Sequence, residues 1–449
     1  MVIVQTLLFT FSPRQKPKCT PFLRQNQSHR VPWFSPSTNR SSHHFRLSCC
    51  RAISHSNQDA LAPSSPSFHT VSSTIRFVFT GGGSGGHIYP AIAIADELRS
   101  LCPDAKFLFF GTSAGLESNI VPSAGFDFVD IPASRLTRPI LSPHNLLFPF
   151  HLIHAIAASW IFLRRFRPDV VIGTGGYVAA PVYLAAVLSG TKIAVQEQNA
   201  FPGIANKIAS PFASKIFLAF NECLKHFPNK KCSVFGNPVR LSLRKYVSKA
   251  AATTHFFPDL EKLGEEKVQV LLVLGGSQGA TPINVAVLNM YYDMLWRHKN
   301  RYIIWQTGKD GFKKMESLVK NHRRLLLTPF LQAMDLAYAA ADLVVSRAGA
   351  MTCTEILTTG KPSILIPSPY VAEDHQTRNA YIMSDVAGSK ILIEDELDSS
   401  SLATTIDAVL GDENLLEDMS EKALKSALPN ATIDIAQSIL SLLKISSQK

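Results

Sequence analysis

Three glycine-rich turns constrain the fold of this chain more than any other feature, because each closes a short apolar run and opens a helical one. Thr80-Gly81-Gly82-Gly83-Ser84-Gly85-Gly86-His87 follows the run 75–79 and leads into a helical stretch over 88–100. Gly173-Thr174-Gly175-Gly176-Tyr177 follows 170–172, and Gly275-Gly276-Ser277-Gln278-Gly279-Ala280 follows 268–274. Further runs of the same kind lie at 106–110, 192–195, 302–306, 325–327, 343–345 and 363–366. Nearly continuous apolar runs of strand length are what a parallel sheet covered on both faces requires. The pattern predicts an α/β chain of two Rossmann-like, doubly wound domains facing across a cleft, over 71–240 and 267–449. Residues 241–266 show no strand pattern and read as the interdomain linker, while 402–410 and 415–443 read as closing helices. A cleft between two such sheets is where two substrates can meet.

Glycine lets a backbone approach a bound anion closely, and the following helix N-terminus offers unpaired N–H groups and partial positive charge. A phosphate or diphosphate is the natural guest, although any one turn alone could serve tight packing. Gly81, Gly83 and Gly86 also satisfy the dinucleotide pattern G-x-G-x-x-G, but that site needs an acidic residue near the end of the second strand, and residues 107–113 offer none. No turn carries the lysine of a nucleotide-hydrolysing phosphate loop. Three turns at the carboxyl ends of strands in two sheets point instead to ligand binding at that edge.

Charge is distributed unevenly. Of 45 basic residues, eight (Arg14, Lys16, Lys18, Arg24, Arg30, Arg40, Arg46 and Arg51) fall within residues 1–58, which hold no Asp or Glu, leaving 37 against all 34 acidic residues in the remainder. The body is close to neutral, so the formal charge of +11 is no argument for a nucleic-acid partner. A Ser-rich, Arg-bearing, acid-free N-terminus reads as an organellar transit peptide with its linker, over 1–70, for plastid before mitochondrion. A tail without an address is the alternative. A secretory signal fits worse, since the apolar run 2–11 lacks a basic flank before it and a small-residue cleavage site after it. Cys102, Cys223, Cys232 and Cys353 in the body are scattered without metal-ligand spacing and read as buried apolar residues.

Gly-Gly-Gly-Ser-Gly-Gly-His at 81–87, Gly-Gly-Tyr-Val at 175–178, Glu-Gln-Asn-Ala-Phe-Pro-Gly at 197–203, Gly-Asn-Pro-Val-Arg at 236–240, Gly-Gly-Ser-Gln-Gly-Ala at 275–280, Ser-Arg-Ala-Gly-Ala-Met-Thr at 346–352 with Glu355, and Asp374-His375-Gln376 with Asn379 together resemble the MurG family. These are the peptidoglycan UDP-N-acetylglucosamine:lipid I N-acetylglucosaminyltransferases. The resemblance spans residues 75 to about 400 and implies a GT-B fold, with the acceptor on the first domain and the nucleotide sugar on the second. It implies an inverting hexosyl transfer of GlcNAc from UDP-GlcNAc to the C4 hydroxyl of the MurNAc unit of lipid I, giving lipid II, with no metal or other cofactor. No Asp-x-Asp motif is present to hold a divalent ion on the diphosphate.

The resemblance also distributes roles. On the donor side, Gly276, Ser277, Gln278 and Arg240 would meet the diphosphate; Met351, Thr352 and Glu355 lie in the nucleotide motif, with Glu355 on the ribose hydroxyls and the backbone near Leu331 reading uracil. His375, Gln376 and Asn379 would surround the GlcNAc hydroxyls. On the acceptor side, Gly83, Ser84, Gly85, Gly86, Gly175, Gly176, Tyr177, Gln198 and Asn199 would line the cleft. His87 is the candidate general base, since an imidazole can take a proton near neutral pH. It could equally bind the acceptor diphosphate or cap its helix, and Glu197 could serve as base in its place. Two positions depart from the family: Ser84 stands where Thr is usual, and Gln196 where His is common.

Between Arg138 and Arg164 no formally charged residue occurs, and the stretch carries Leu146, Leu147, Phe148, Phe150, Leu152, Ile153, Ile156, Trp160, Ile161 and Phe162. Prolines and histidines interrupt it below spanning length. It reads as an apolar patch, edged by Arg164, Arg165 and Arg167, that docks a peripheral enzyme on an anionic membrane surface; the alternative is an ordinary buried helix. Two rival functions are a plastid galactolipid synthase, moving galactose from UDP-galactose to diacylglycerol, and a plastid division scaffold that has lost catalysis.

Overall fold

A computed structural model of the chain describes residues 74–137, 142–262, 267–371 and 374–444. The expected transit peptide and its linker lie outside the described residues, as do the last residues of the expected interdomain linker.

The first domain alternates β1 (Arg76–Gly81), α1 (Gly85–Leu101), β2 (Lys106–Gly111), α2 (Glu117–Ser123), β3 (Asp127–Asp130), α3 (Phe148–Phe166), β4 (Val170–Gly175), α4 (Ala179–Leu188), β5 (Lys192–Glu197), α5 (Ile204–Ala209), β6 (Lys215–Leu218) and β7 (Cys232–Val234). Its strands pair in the order β3-β2-β1-β4-β5-β6-β7, all parallel. After α6 (Lys249–Phe256), the second domain runs β8 (Gln269–Leu274), α7 (Thr281–Arg297), β9 (Arg301–Gln306), α8 (Phe312–Leu318), β10 (Leu325–Thr328), α9 (Met334–Ala340), β11 (Leu343–Ser346), α10 (Ala350–Thr359), β12 (Ser363–Leu365), α11 (His375–Ala387) and β13 (Lys390–Ile391). That sheet is ordered β10-β9-β8-β11-β12-β13. Helices α12 (Ser399–Leu410), α13 (Glu413–Ser426) and α14 (Ala431–Lys444) close the chain.

Both sheets are the doubly wound kind, and strand order reverses between β1 and β4 in one and between β8 and β11 in the other. Open α/β sheets bind ligands at such a reversal, outside the carboxyl ends of the strands. The first two glycine turns leave β1 and β4, and the third leaves β8, so all three lie at reversals.

Two boundaries differ from the sequence expectation. Residues 241–262 are structured rather than a bare connection: Leu243, Ala252 and Phe257 are buried with Val270, Leu272 and Tyr302 in the core of the second domain. Helix α14 leaves the second domain and packs on the first, placing Ile435, Ala436 and Ile439 among Phe77, Ile94 and Leu98. Each isoleucine buried there contributes about 1.5–3 kcal/mol, so α14 is a second tie between the domains besides the covalent crossing at 236–240.

Helix α3 is amphipathic rather than wholly buried. Ala155, Ser159 and Leu163, spaced by four, are fully buried, and Ile156, Phe162 and Phe166 pack beside them against the core. On its outer side Leu147, Phe150 and Ile153 are 57%, 69% and 65% exposed, preceded by Leu146 at 79%. Among the described residues no helix is long and apolar enough to cross a membrane.

Candidate functional site

The first two turns are packed directly on each other. A β carbon at Gly81 would stand 1.9 Å from Thr174 Oγ1, and one at Gly176 would stand 2.2 Å from the Gly82 carbonyl oxygen, with Gly176 already at φ +84°. These glycines are required by the approach of β1 to β4. Gly86 is different, since its nearest neighbour is Ser84 Oγ at 3.6 Å. Ser84 precedes α1 without capping it through its side chain, and it is exposed. The first turn of α1 therefore presents its N–H groups outward, as an anion site needs.

His87 lies on α1 where the two turns meet. Its Nδ1 is 2.8 Å from the Thr174 carbonyl oxygen and 3.2 Å from Gln198 Oε1. Both partners are acceptors, so Nδ1 carries the hydrogen and Nε2 of the neutral ring keeps its lone pair. β carbons at Gly175 and Gly176 would stand 3.3 Å from Cε1 and 3.2 Å from Cδ2, the two carbons that flank Nε2. Glycine at both positions keeps that edge of the ring uncrowded. Such an imidazole can accept a proton from a hydroxyl brought to Nε2.

Glu197, the other candidate base, ends β5 and is 1% exposed. Its Oε1 accepts from Asn199 N–H at 3.1 Å and Asn199 Nδ2 at 3.2 Å; its Oε2 accepts from Gly203 N–H and Asn206 Nδ2, each at 2.9 Å. With four donors on one carboxylate, Glu197 holds the 197–203 loop and positions Asn199 rather than facing a substrate. Gln198 is likewise buried: its Nε2 donates to the Thr174 carbonyl at 2.9 Å and to Gln196, and its Oε1 supports His87. Both spend their polar atoms on neighbouring residues of the turn and loop. Gln196 is fully buried and donates from Nε2 to Asn237 Oδ1 at 2.9 Å, a structural role for the position that departs from the family. Gly83 and Tyr177 also belong partly to the scaffold. Gly83 N–H donates to Glu117 Oε2 at 3.3 Å, and the Tyr177 hydroxyl is 3.0 Å from Thr112 Oγ1.

In the second domain the third turn is open at Gly276, while Gly275 and Gly279 are packed on the Gln306 and Thr307 carbonyls. Gly276 has φ +79° and nothing within 4 Å of a β-carbon position, while Gly276 and Gln278 are exposed and Ser277 half-buried. Gln306, which lies in none of the motifs, donates from Nε2 to the Gly276 carbonyl at 3.1 Å and accepts the Leu331 N–H at 2.9 Å. Of the backbone near Leu331, the N–H of Leu331 itself is thus engaged by a side chain. Met351, Thr352 and Glu355 occupy the first turns of α10 at helical spacing, after β11. Glu355 Oε2 accepts from the Tyr338 hydroxyl at 3.0 Å. Burial raises the Glu355 carboxyl above its ordinary range, against the lowering pull of Arg240 and of the Tyr338 bond.

Arg240 sits between the domains, its guanidinium 4.0 Å from the centroid of the Tyr89 ring on α1. Its Nε is buried with no hydrogen-bond partner among the described residues, the state of a donor group suited to an anionic ligand. Gln376 accepts the Ser368 N–H at 2.9 Å, and half-buried His375 precedes it at the start of α11. Asn379 is fully buried, donates from Nδ2 to the Ala348 carbonyl at 3.1 Å and accepts Ala200 N–H at 3.5 Å, so it also pins the two domains together. Asn237 makes a second pin, donating to the Gln198 carbonyl and to Thr354 Oγ1, each at 3.0 Å.

The structure therefore places an uncrowded imidazole and two glycine turns on the first domain, an exposed Gly276 and a buried carboxyl on the second, and the under-bonded Arg240 guanidinium between them. Comparison with known proteins agrees with this division. Residues 77–218 match the glycosyltransferase family 28 N-terminal domain, and residues 270–435 match the glycosyltransferase family 28 C-terminal domain. A Salinibacter ruber protein named UDP-N-acetylglucosamine--N-acetylmuramyl-(pentapeptide) pyrophosphoryl-undecaprenol N-acetylglucosamine transferase is 41% identical over 82% of this chain and 96% of its own length. A Bacillus cytotoxicus protein of the same name is 38% identical over 82% of this chain and all of its own. The crystal structure of Acinetobacter baumannii MurG superposes with a TM-score of 0.61 at 27% identity, covering 82% of this chain and all of that one.

Proposed function

The chain belongs to glycosyltransferase family 28, and on that premise we propose that it transfers GlcNAc from UDP-GlcNAc to the MurNAc C4 hydroxyl of lipid I, yielding lipid II and UDP. The single observation that carries the chemistry is the 2.8 Å contact of His87 Nδ1 with the Thr174 carbonyl oxygen: a carbonyl only accepts, so the contact assigns the ring hydrogen to Nδ1 and leaves Nε2 as the proton acceptor. The acceptor hydroxyl attacks the anomeric carbon as its proton passes to Nε2, and the bond from that carbon to the UDP oxygen breaks, inverting the configuration. General-base assistance of this kind is worth about 10²–10⁴ in rate. Arg240 and the N–H groups of the Gly276, Ser277 and Gln278 turn receive the charge that gathers on the departing diphosphate, so the reaction needs neither metal nor cofactor. Glu355 accepts the ribose hydroxyls, and His375 with Gln376 faces the sugar.

The setting is a plastid membrane surface. Support for import is the acid-free, Arg-bearing N-terminus ahead of the family match, which begins at residue 77. Support for membrane docking is the exposed apolar side of α3 with Arg164 and Arg165 at its end. Each apolar side chain withdrawn from a membrane forfeits about 1.5–3 kcal/mol, so Leu147→Ser with Phe150→Ser should move the folded protein from anionic vesicles to the supernatant in a sedimentation assay. Unchanged sedimentation would refute the docking face.

Substrate choice is tested by supplying the purified protein with UDP-GlcNAc and lipid I in one reaction and UDP-galactose and diacylglycerol in another. Turnover of the first pair alone is expected; turnover of the second alone would replace the proposal with galactolipid synthesis.

A further inference from the structure

The first two glycine turns are placed to hold a diphosphate, yet the charge built into them is negative. Glu117, which opens α2, is 1% exposed and lies beneath the first turn. Its Oε1 accepts from Thr112 N–H at 3.1 Å and Thr112 Oγ1 at 2.9 Å, and its Oε2 accepts from Gly83 N–H at 3.3 Å. Three donors converging on one carboxyl is the arrangement that suits its ionised form. The Thr112 hydroxyl proton goes to Glu117, so at 3.0 Å the Tyr177 hydroxyl donates to Thr112 Oγ1. One carboxylate thereby braces both turns. It also occupies the Gly83 N–H and comes close to the backbone, since a β carbon at Gly82 would stand 2.6 Å from Glu117 Oε1. Helix N–H groups alone bring only a partial positive charge to such a place.

A full cation is at hand. Arg135, on the connection that follows β3, holds its guanidinium 5.4 Å from the centroid of the Tyr177 ring. Its Nη2 lies 3.5 Å from the position of a Gly83 β carbon. Among the described residues Arg135 has no carboxylate partner, and it is exposed at the rim of the turn. The Tyr177 ring holds the guanidinium beside the first turn, and a guanidinium offers the N–H fork that suits bidentate contact with phosphate oxygens.

We propose that Arg135 binds the diphosphate of the lipid-linked acceptor above the first glycine turn, on a platform that Glu117 holds in place through Gly83 and Tyr177. The inference rests on the reading of the first domain as the acceptor domain. It assigns the acceptor's charge recognition to a side chain rather than to the glycine turns themselves.

The test is initial-rate kinetics of the full chain with a soluble lipid I analogue and with its monophosphate counterpart, paired with calorimetry of UDP binding. Arg135→Ala should raise the acceptor KM by about ten- to a hundredfold, the scale of a charge-assisted contact. The preference for diphosphate over monophosphate should shrink with it, while UDP affinity and kcat at saturation stay within about twofold of the parent. Arg135→Lys should fall between, because it keeps the charge and loses the fork. A parent-like acceptor KM and an unchanged diphosphate preference in Arg135→Ala, in a protein that still binds UDP, would overturn the role of Arg135 alone. A parent protein that neither binds UDP nor turns over lipid I would overturn the transferase reading beneath it.

Discussion

The acceptor and donor sides of the cleft use glycine for different physical ends. In the first domain, Gly81 and Gly176 are fixed by backbone and side chains already present, with a β carbon at either position falling 1.9 or 2.2 Å from a neighbouring oxygen. In the second, Gly276 looks into open space. The turns of the first domain are thus braced on each other, whereas in the third turn Gly275 and Gly279 are held against Gln306 and Thr307 and Gly276 alone stands open. The braced side carries His87, which needs a fixed tautomer and a fixed position. The open side must admit and release a nucleotide at every turnover.

The largest effect should come from a β carbon at the braced position. Gly176→Ala combines a clash with left-handed strain and should cost about 3 kcal/mol or more of stability. Gly276→Ala carries the strain alone, about 1–2 kcal/mol, and should weaken UDP binding. Chemical denaturation of both variants compares them directly, and equal costs would break the contrast. Next in size, His87→Ala should lower kcat by about 10²–10⁴ while leaving acceptor KM near its parent value. A variant that lost acceptor affinity and kept its turnover would make His87 a binding group.

Glu197→Gln should destabilise the fold by about 1–3 kcal/mol, because its new amide nitrogen must face a donor from Asn199, Gly203 or Asn206. Its kcat should fall much less than that of His87→Ala. A fall as deep would restore Glu197 as the base. The smallest effect belongs to the donor side. Burial raises the Glu355 carboxyl in the free protein, whereas ribose hydroxyls donate to its ionised form. UDP binding then releases a proton, so affinity should fall as pH drops through the raised titration range and level off above it. The slope is at most about tenfold per pH unit for one proton. Glu355→Gln should flatten it in calorimetry at several pH values, and a slope that survives would assign the titration elsewhere.

Every apolar run that precedes or parallels a glycine turn at 75–366 lies in or against an observed strand, because central strands of a doubly wound sheet are buried on both faces and must be apolar throughout. The strands that escaped notice, Asp127–Asp130, Lys215–Leu218, Cys232–Val234 and Lys390–Ile391, are two to four residues long, and all but Lys215–Leu218 are half-buried or exposed, so they carry little pattern. The segment after Arg240 read as a linker because Ala252 and Phe257 are buried by tertiary contacts that no local period announces. The continuous helix expected over 415–443 is two helices, and the second belongs to the first domain's core.

At the site, the motif positions were legible and the division of labour was not. His87 keeps an uncrowded ring edge, Gly276 is open, and Arg240 Nε has no hydrogen-bond partner among the described residues. Glu197, Gln198 and Asn379 sit in equally characteristic motifs yet use their polar atoms on the protein itself. Glu117, Thr112 and Gln306 hold the turns from outside any motif, as single polar residues whose partners lie 5 to 34 residues away for Glu117 and 25 to 30 for Gln306. Sequence shows which residues gather at a turn; hydrogen-bond geometry shows which of them remain available to a substrate.

The most direct test of the account is the product of one reaction: the purified chain incubated with UDP-GlcNAc and lipid I, with the lipid product analysed by mass and by the anomeric configuration of its new linkage. Transfer by direct displacement predicts a β-linked GlcNAc on the MurNAc C4 oxygen and one UDP released for each product formed. An α linkage, or UDP released with no glycosylated lipid, would contradict it.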